Sequence, residues 1–150
     1  MKKTVVTFAL LLPFLLAALP AQAQSFGTAA EAKGMLERAV VALKAGEAAA
    51  IDKFKSGADG FKDRDLYVFS WDMTTGKFTA HPNPAIMGTD IRALKVKDDP
   101  LGQRIFDTVK EGQVLTVDYM FPKPTGGDPV PKQSFVTRVG NQGAGVGYYK

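Results

Sequence analysis

The chain has 150 residues, of which 45% are apolar and 23% charged, with a formal net charge of +4, one histidine and no cysteine. That apolar content excludes a wholly disordered chain, and the length fits one domain. The missing cysteines exclude disulfides, a thiolate nucleophile and a Cys-ligated metal, and a single histidine excludes a site with two His ligands. No metal and no cofactor is implied.

Met1-Lys2-Lys3 gives a positive start, and Thr4 to Leu19 is an uncharged, mostly apolar run interrupted by Pro13. Pro20-Ala21-Gln22-Ala23 follows, with small residues where signal peptidase requires them. The run is shorter than the roughly 20 residues of a spanning helix. Residues 1–23 are therefore expected to be a signal peptide, cut between Ala23 and Gln24, leaving one domain over 24–150 in an exported compartment. Loss of Lys2 and Lys3 lowers the net charge from +4 to +2. No basic cluster with interleaved aromatics remains, so a nucleic-acid partner is not indicated.

Thr28-Ala29-Ala30-Glu31 has capping-box spacing. Ala32, Met35, Leu36, Ala39, Val40 and Leu43 then recur at helical intervals. Gly46 interrupts the pattern before Ala50, Ile51 and Phe54 resume it. An unbroken helix from Thr28 to Lys55 would be about 40 Å long, which favours a break near Ala45-Gly46. Asp63, Arg64 and Asp65 read as a solvated linker.

Leu66 to Trp71 is dense in strand formers. Tyr67, Phe69 and Trp71 share one face; Leu66, Val68 and Ser70 share the other. Asp72 to Gly76 is a turn, Lys77 to His81 the returning strand, and Pro82-Asn83-Pro84 ends it. After a loop through Asp98-Asp99, the spacing predicts a helix with Asp99 as N-cap and Pro100 at its first position. Its buried stripe is Leu101, Ile105, Phe106 and Val109, and Glu111-Gly112 closes it. Val114–Phe121, Gln133–Val139 and Ala144–Tyr149 read as three further strands, with Pro122–Pro131 as a long hairpin loop. Segregated helices and strands indicate an α+β domain with a five-stranded antiparallel sheet.

Several segments together resemble a known family. Leu66-Tyr67-Val68-Phe69-Ser70-Trp71-Asp72 with Gly76 through Asn83, which contains Ala80-His81-Pro82, resembles the first hairpin of single Cache domains. Gly88-Thr89-Asp90 is similar to the loop that follows it. Val117-Asp118-Tyr119-Met120-Phe121-Pro122, Pro131-Lys132-Gln133-Ser134-Phe135-Val136 and Val146-Gly147-Tyr148-Tyr149 resemble three later motifs. The resemblance covers roughly residues 29–149. It implies a PAS-like extracytoplasmic sensor module, with a long N-terminal helix on a five-stranded antiparallel sheet and a small-molecule pocket before the third strand. Phe121 and Phe135 depart from the Trp and Tyr common at those places.

The expected function is binding of a small polar metabolite such as a carboxylate, signalled through a partner protein such as a membrane receptor or kinase. Tyr67, Trp71, His81, Arg104, Tyr119 and Tyr148 are the candidate ligand-binding residues. Tyr67 and Trp71 carry polar handles on apolar rings, and His81 lies at a strand end. Arg104 could hold a carboxylate with two parallel hydrogen bonds. Arg92, Lys95 and Lys97 lie in the same covering segment. The second reading is an interaction module of an exported complex with a filled cavity, docking or dimerising through the Met35–Val40 face. An enzyme has little support, since no nucleophile–base pair or paired carboxylates stand out.

Overall fold

The computed structural model describes residues 26–150. The expected signal peptide and the Ala23/Gln24 junction lie outside the described residues.

The N-terminal amphipathic run forms two helices, α1 (Ala29–Ala45) and α2 (Glu47–Ser56). Thr28 and Glu31 form the expected capping box. Arg64 and the Thr28 backbone N–H both bind the Glu31 carboxylate, and the Thr28 bond is the larger cause lowering its pKa to about 2. The break falls at Gly46, whose N–H closes α1 on Ala42. Gly57 ends α2 in the left-handed region (φ 71°), where glycine pays no Cβ penalty.

The sheet is antiparallel, in the order β1 (Lys62–Asp63), β2 (Leu66–Asp72), β6 (Gln142–Tyr149), β5 (Val130–Val139), β4 (Leu115–Phe121), with β3 (Phe78–Ala80) also paired to β2. The two-residue β1 is the addition to the five expected strands. It pairs Lys62 with Tyr67 and Asp63 with Leu66, so the supposed linker is a tight turn, and Asp65 within it is buried. The β5 strand begins at Val130 rather than Gln133. Pro131 is tolerated there because its carbonyl, not an N–H, completes the pairing, accepting from the Lys150 N–H at 3.0 Å.

Alternation along the strands makes two cores. On one face Leu66, Val68, Ala144 and Val146 pack against Ala32, Met35, Leu36, Ala39 and Leu43 of α1 and Ala50 and Phe54 of α2. Met35, Leu36 and Ala39 are consumed by this core, so the Met35–Val40 face is not the free docking face expected of an interaction module.

On the other face Phe69, Trp71, Val117 and Val136 pack under a cover formed by residues 81–109. The cover contains a single 3-10 turn at Ile91–Ala93 and the short helix α3 (Leu101–Thr108). That helix differs from expectation at both ends. Asp99 does not cap it, because its carboxylate is held by Arg104 at 2.8 and 2.6 Å. It ends at Thr108, before extended Val109. The cover is tied to itself: the Gly102 N–H donates to the Leu94 carbonyl at 2.9 Å and the Leu94 N–H to Ile91 at 2.9 Å. Arg92 holds Asp90 at 2.6 Å and lies over the Phe106 ring at 5.1 Å. Gly102 sits so close to Ile91 that a Cβ would overlap the Ile91 carbonyl group.

Candidate ligand-binding site

The covered face owes its shape to β6. Its residues facing the cover are Gly143, Gly145 and Gly147, leaving a trough without side chains. Trp71 lies in it at Gly143 and Phe69 at Gly145. A Cβ at Gly147 would stand 2.7 Å from both Lys132 Cε and Ser134 Oγ and 3.0 Å from the Tyr119 hydroxyl. Polar side chains thus converge where the trough meets β5 and β4.

Beside this point lies a cavity of about 30 Å³, lined by Tyr67, Phe69, Phe78, His81, Ile91, Leu94, Leu101, Ile105, Tyr119 and Phe121. One water requires roughly 10–15 Å³ on this scale, so the space suits a ligand of a few heavy atoms. The walls are aromatic on the sheet side and aliphatic on the cover side.

His81 supplies a defined donor. Its Nδ1 accepts the Asn83 backbone N–H at 3.0 Å, which places the ring proton on Nε2. The ring lies edge-on to Tyr67 (5.4 Å) and Phe78 (5.6 Å). Burial, with a smaller contribution from the Lys132 charge, lowers its pKa to about 4, so it is neutral at pH 7. Burial also holds the Tyr67 and Tyr119 phenols protonated above their ordinary range. The Tyr119 hydroxyl bonds Ser134 Oγ at 2.7 Å, whereas that of Tyr67 has no hydrogen-bond partner among the described residues.

Lys132 is the residue sequence reasoning missed. It is only 3% exposed and forms no ion pair among the described residues. Its ammonium lies 4.5 Å from the ring centre of Tyr149, 5.1 Å from Tyr67 and 5.2 Å from Phe121. Two of these rings line the cavity. Cation–π contacts give about 2 kcal/mol or more each when desolvated. They do not replace hydration, since burial lowers the Lys132 pKa to about 8. The group is thus largely charged at pH 7 and short of an anion. The signal was alternation: Lys132, Ser134 and Val136 share a strand face, and Val136 is core.

Of the six candidate residues, Tyr67, His81 and Tyr119 line the cavity. The other three lie elsewhere. Trp71 is fully buried farther along β2, stacked on Phe69 at 5.8 Å, with its indole N–H unpartnered among the described residues. Arg104 forms the expected pair of parallel bonds, but to Asp99, and its Nη2 also donates to the Asp118 carbonyl at 3.1 Å at the sheet edge. Tyr148 belongs to the opposite face by strand parity, donates to Gln133 at 3.0 Å and stacks on Phe135. Arg92 is committed to Asp90. Asp118 takes Lys150 at 2.6 Å. Among the described residues no group of His, Asp and Glu could hold a metal ion, and no helix is long and apolar enough to cross a membrane.

A helix-backed antiparallel sheet with a covered, partly polar cavity on its other face defines a PAS-like sensor fold. Solved structures agree. The chain is similar to the periplasmic sensor domain of a chemotaxis protein, with 29% identity over 78% of this chain and 86% of that one and a TM-score of 0.57. It is similar to a Cache chemosensory domain studied for carboxylic acid recognition, with 26% identity, 78% and 84% coverage and a TM-score of 0.57. It shares the fold of a methyl-accepting chemotaxis protein from Vibrio parahaemolyticus RIMD 2210633, with 22% identity, 80% and 86% coverage and a TM-score of 0.60. No curated protein matches the chain. The single Cache domain 2 family model matches residues 15–147, and the chain belongs to that family.

Proposed function

We propose that this chain is an extracytoplasmic sensor domain that binds a small carboxylate beneath the cover and passes the signal to a partner protein, a membrane receptor or a kinase. The observation that carries the reading is the buried Lys132 ammonium, without an ion-pair partner among the described residues, beside a cavity lined by Tyr67 and His81. A carboxylate supplies what that group lacks, and charge-assisted bonds are about twice as strong as neutral ones. The cavity volume and the aliphatic wall of Ile91, Leu94, Leu101 and Ile105 suit a tail of one to a few carbons. The solved relative described for carboxylic acid recognition points the same way. Binding under the cover stabilises the closed arrangement by its differential affinity for that state.

Thermal shift and calorimetry with formate, acetate, propionate, butyrate and matched amines test the reading. Stabilisation by the short carboxylates alone is expected, amounting to about 2.7 kcal/mol at a hundredfold excess over Kd. Stabilisation by amines alone, or by none of the compounds at millimolar concentration, would overturn it.

A further inference from the structure

At one end of the covered face, two buried opposite charges lie near each other without touching. Tyr119 pairs with Lys132, and Lys132 with Tyr149, across β4, β5 and β6. The β2/β6 pairing ends at Val68 and Val146, and beyond it Asp65 lies within electrostatic reach of Tyr149 and Lys132. Asp65 is 5% exposed. Its Oδ1 accepts the Gly27 N–H at 2.6 Å, and its Oδ2 is buried without a partner among the described residues.

The same end of the face holds the chain leading into α1. Gly27 is fastened to Asp65 and lies so close over Leu66 that a Cβ would overlap that side chain. Phe26 packs edge-on against Tyr149 at 5.9 Å, and Tyr149 is the ring nearest the Lys132 ammonium. Arg64 accompanies the segment by donating to the Phe26 carbonyl at 3.3 Å, and Lys123 lies over the Phe26 ring. The two residues before the α1 N-cap therefore rest on the two residues that flank Lys132.

We infer that Asp65 is a positioning residue that joins the Lys132 ammonium to the segment leading into α1, its Oδ1 holding Gly27 while its unpartnered oxygen supplies the nearest counter-charge. The signalling consequence rests on the carboxylate reading: a bound anion draws the Lys132 charge away from Asp65, and the hold on Gly27 loosens. The groups facing Lys132 are Asp65 and Tyr67 from β2 and its turn, Tyr119 from β4, Tyr149 from β6 and His81 from the cover; Asp65 faces Lys132, Tyr67 and Tyr149. His81 is deprotonated above about pH 4, burial pushes Tyr149 up to about 12, and Tyr67 and Tyr119 are raised too. Of Lys132, His81 and the three tyrosines, Lys132 is the one whose charge changes near pH 8.

Lysine Cε and backbone amide NMR on the full chain tests this. Without ligand, Asp65→Asn keeps an acceptor for Gly27 but removes the charge, and the Lys132 titration midpoint is expected to fall. The Gly27 amide shift is expected to follow the Lys132 titration in the parent chain and to stop following it in Lys132→Met. An unmoved midpoint in Asp65→Asn, or a Gly27 amide indifferent to the Lys132 titration, overturns the joint. With saturating propionate, Gly27 amide exchange is expected to accelerate severalfold in the parent chain and not in Asp65→Asn. Propionate binding with unchanged Gly27 exchange overturns the signalling consequence. Absence of propionate binding defeats the carboxylate reading alone, because the ligand-free measurements still decide the joint.

Discussion

The two faces of the sheet are built from alternate residues of the same strands, yet they solve different problems. The helix-backed face is filled: Leu66, Val68, Ala144 and Val146 meet aliphatic side chains of α1, and Tyr148 at its margin is hydrogen-bonded to Gln133. The covered face carries Tyr67, Tyr119, Lys132 and Ser134 beside a small cavity. Burial of apolar surface is the dominant stabilising contribution, whereas a buried, unpaired ammonium is a cost. One face holds the domain together; the other keeps a charge in an environment that only a partner of opposite sign relieves.

Substitutions should separate the faces, beginning with the largest effect. Leu36→Ala removes a fully buried side chain from α1 and is expected to cost about 2–5 kcal/mol in urea unfolding. Propionate affinity of the folded protein should be unchanged. Lys132→Met should do the opposite. Propionate binding is expected to weaken by roughly tenfold to a hundredfold, the loss of one charge-assisted bond. Stability at pH 7 should rise, on the order of 2–3 kcal/mol, because burial has lowered the lysine from 10.5 to about 8. Between those two values the unfolded chain binds the proton that the folded chain has released. Parent stability therefore increases with pH across that window, and the Met variant lacks the increase.

The pH dependence of binding sharpens the contrast. Calorimetry should show propionate affinity flat from about pH 6 to 7, then falling roughly tenfold per unit above pH 8 as Lys132 loses its charge. The smallest effect is expected for His81→Gln, a severalfold loss of affinity from one neutral hydrogen bond. It should also remove part of the acid sensitivity. The His81 pKa is depressed in the folded state to about 4, so its contribution is present above pH 6.5 and lost as pH falls towards 4. A variant that weakened binding and stability together at Lys132 would collapse the distinction between the faces.

Periodicity made the framework legible in the sequence. The helix break at Gly46, the two faces of β2 and the pairing of Tyr119 with the inward side of β4 all follow from spacing alone. What escaped depended on long-range packing. Lys132 was hidden because Pro129 and Pro131 read as loop, which put the start of the strand three residues too late. Asp65 was hidden because a run of three charged residues looks solvated unless the turn that buries the last of them is known. Arg104 has the chemistry for a carboxylate, and only the fold shows that Asp99 already supplies one. Tyr148 was separable by parity, since it shares its face with Val146.

The cover has a mechanical consequence. From Asp90 to Phe106 it is laced internally by Arg92–Asp90, Arg104–Asp99, the Gly102–Leu94 bond and the close seat of Gly102 on Ile91. The same piece is fastened at its near edge to the β2–β3 hairpin, where the Phe78 N–H donates to the Thr89 carbonyl at 2.9 Å and the Ile91 N–H to the Gly76 carbonyl at 2.8 Å. A guest leaving on that side has to break main-chain bonds, which ties its residence time to the hairpin rather than to the atoms that grip it.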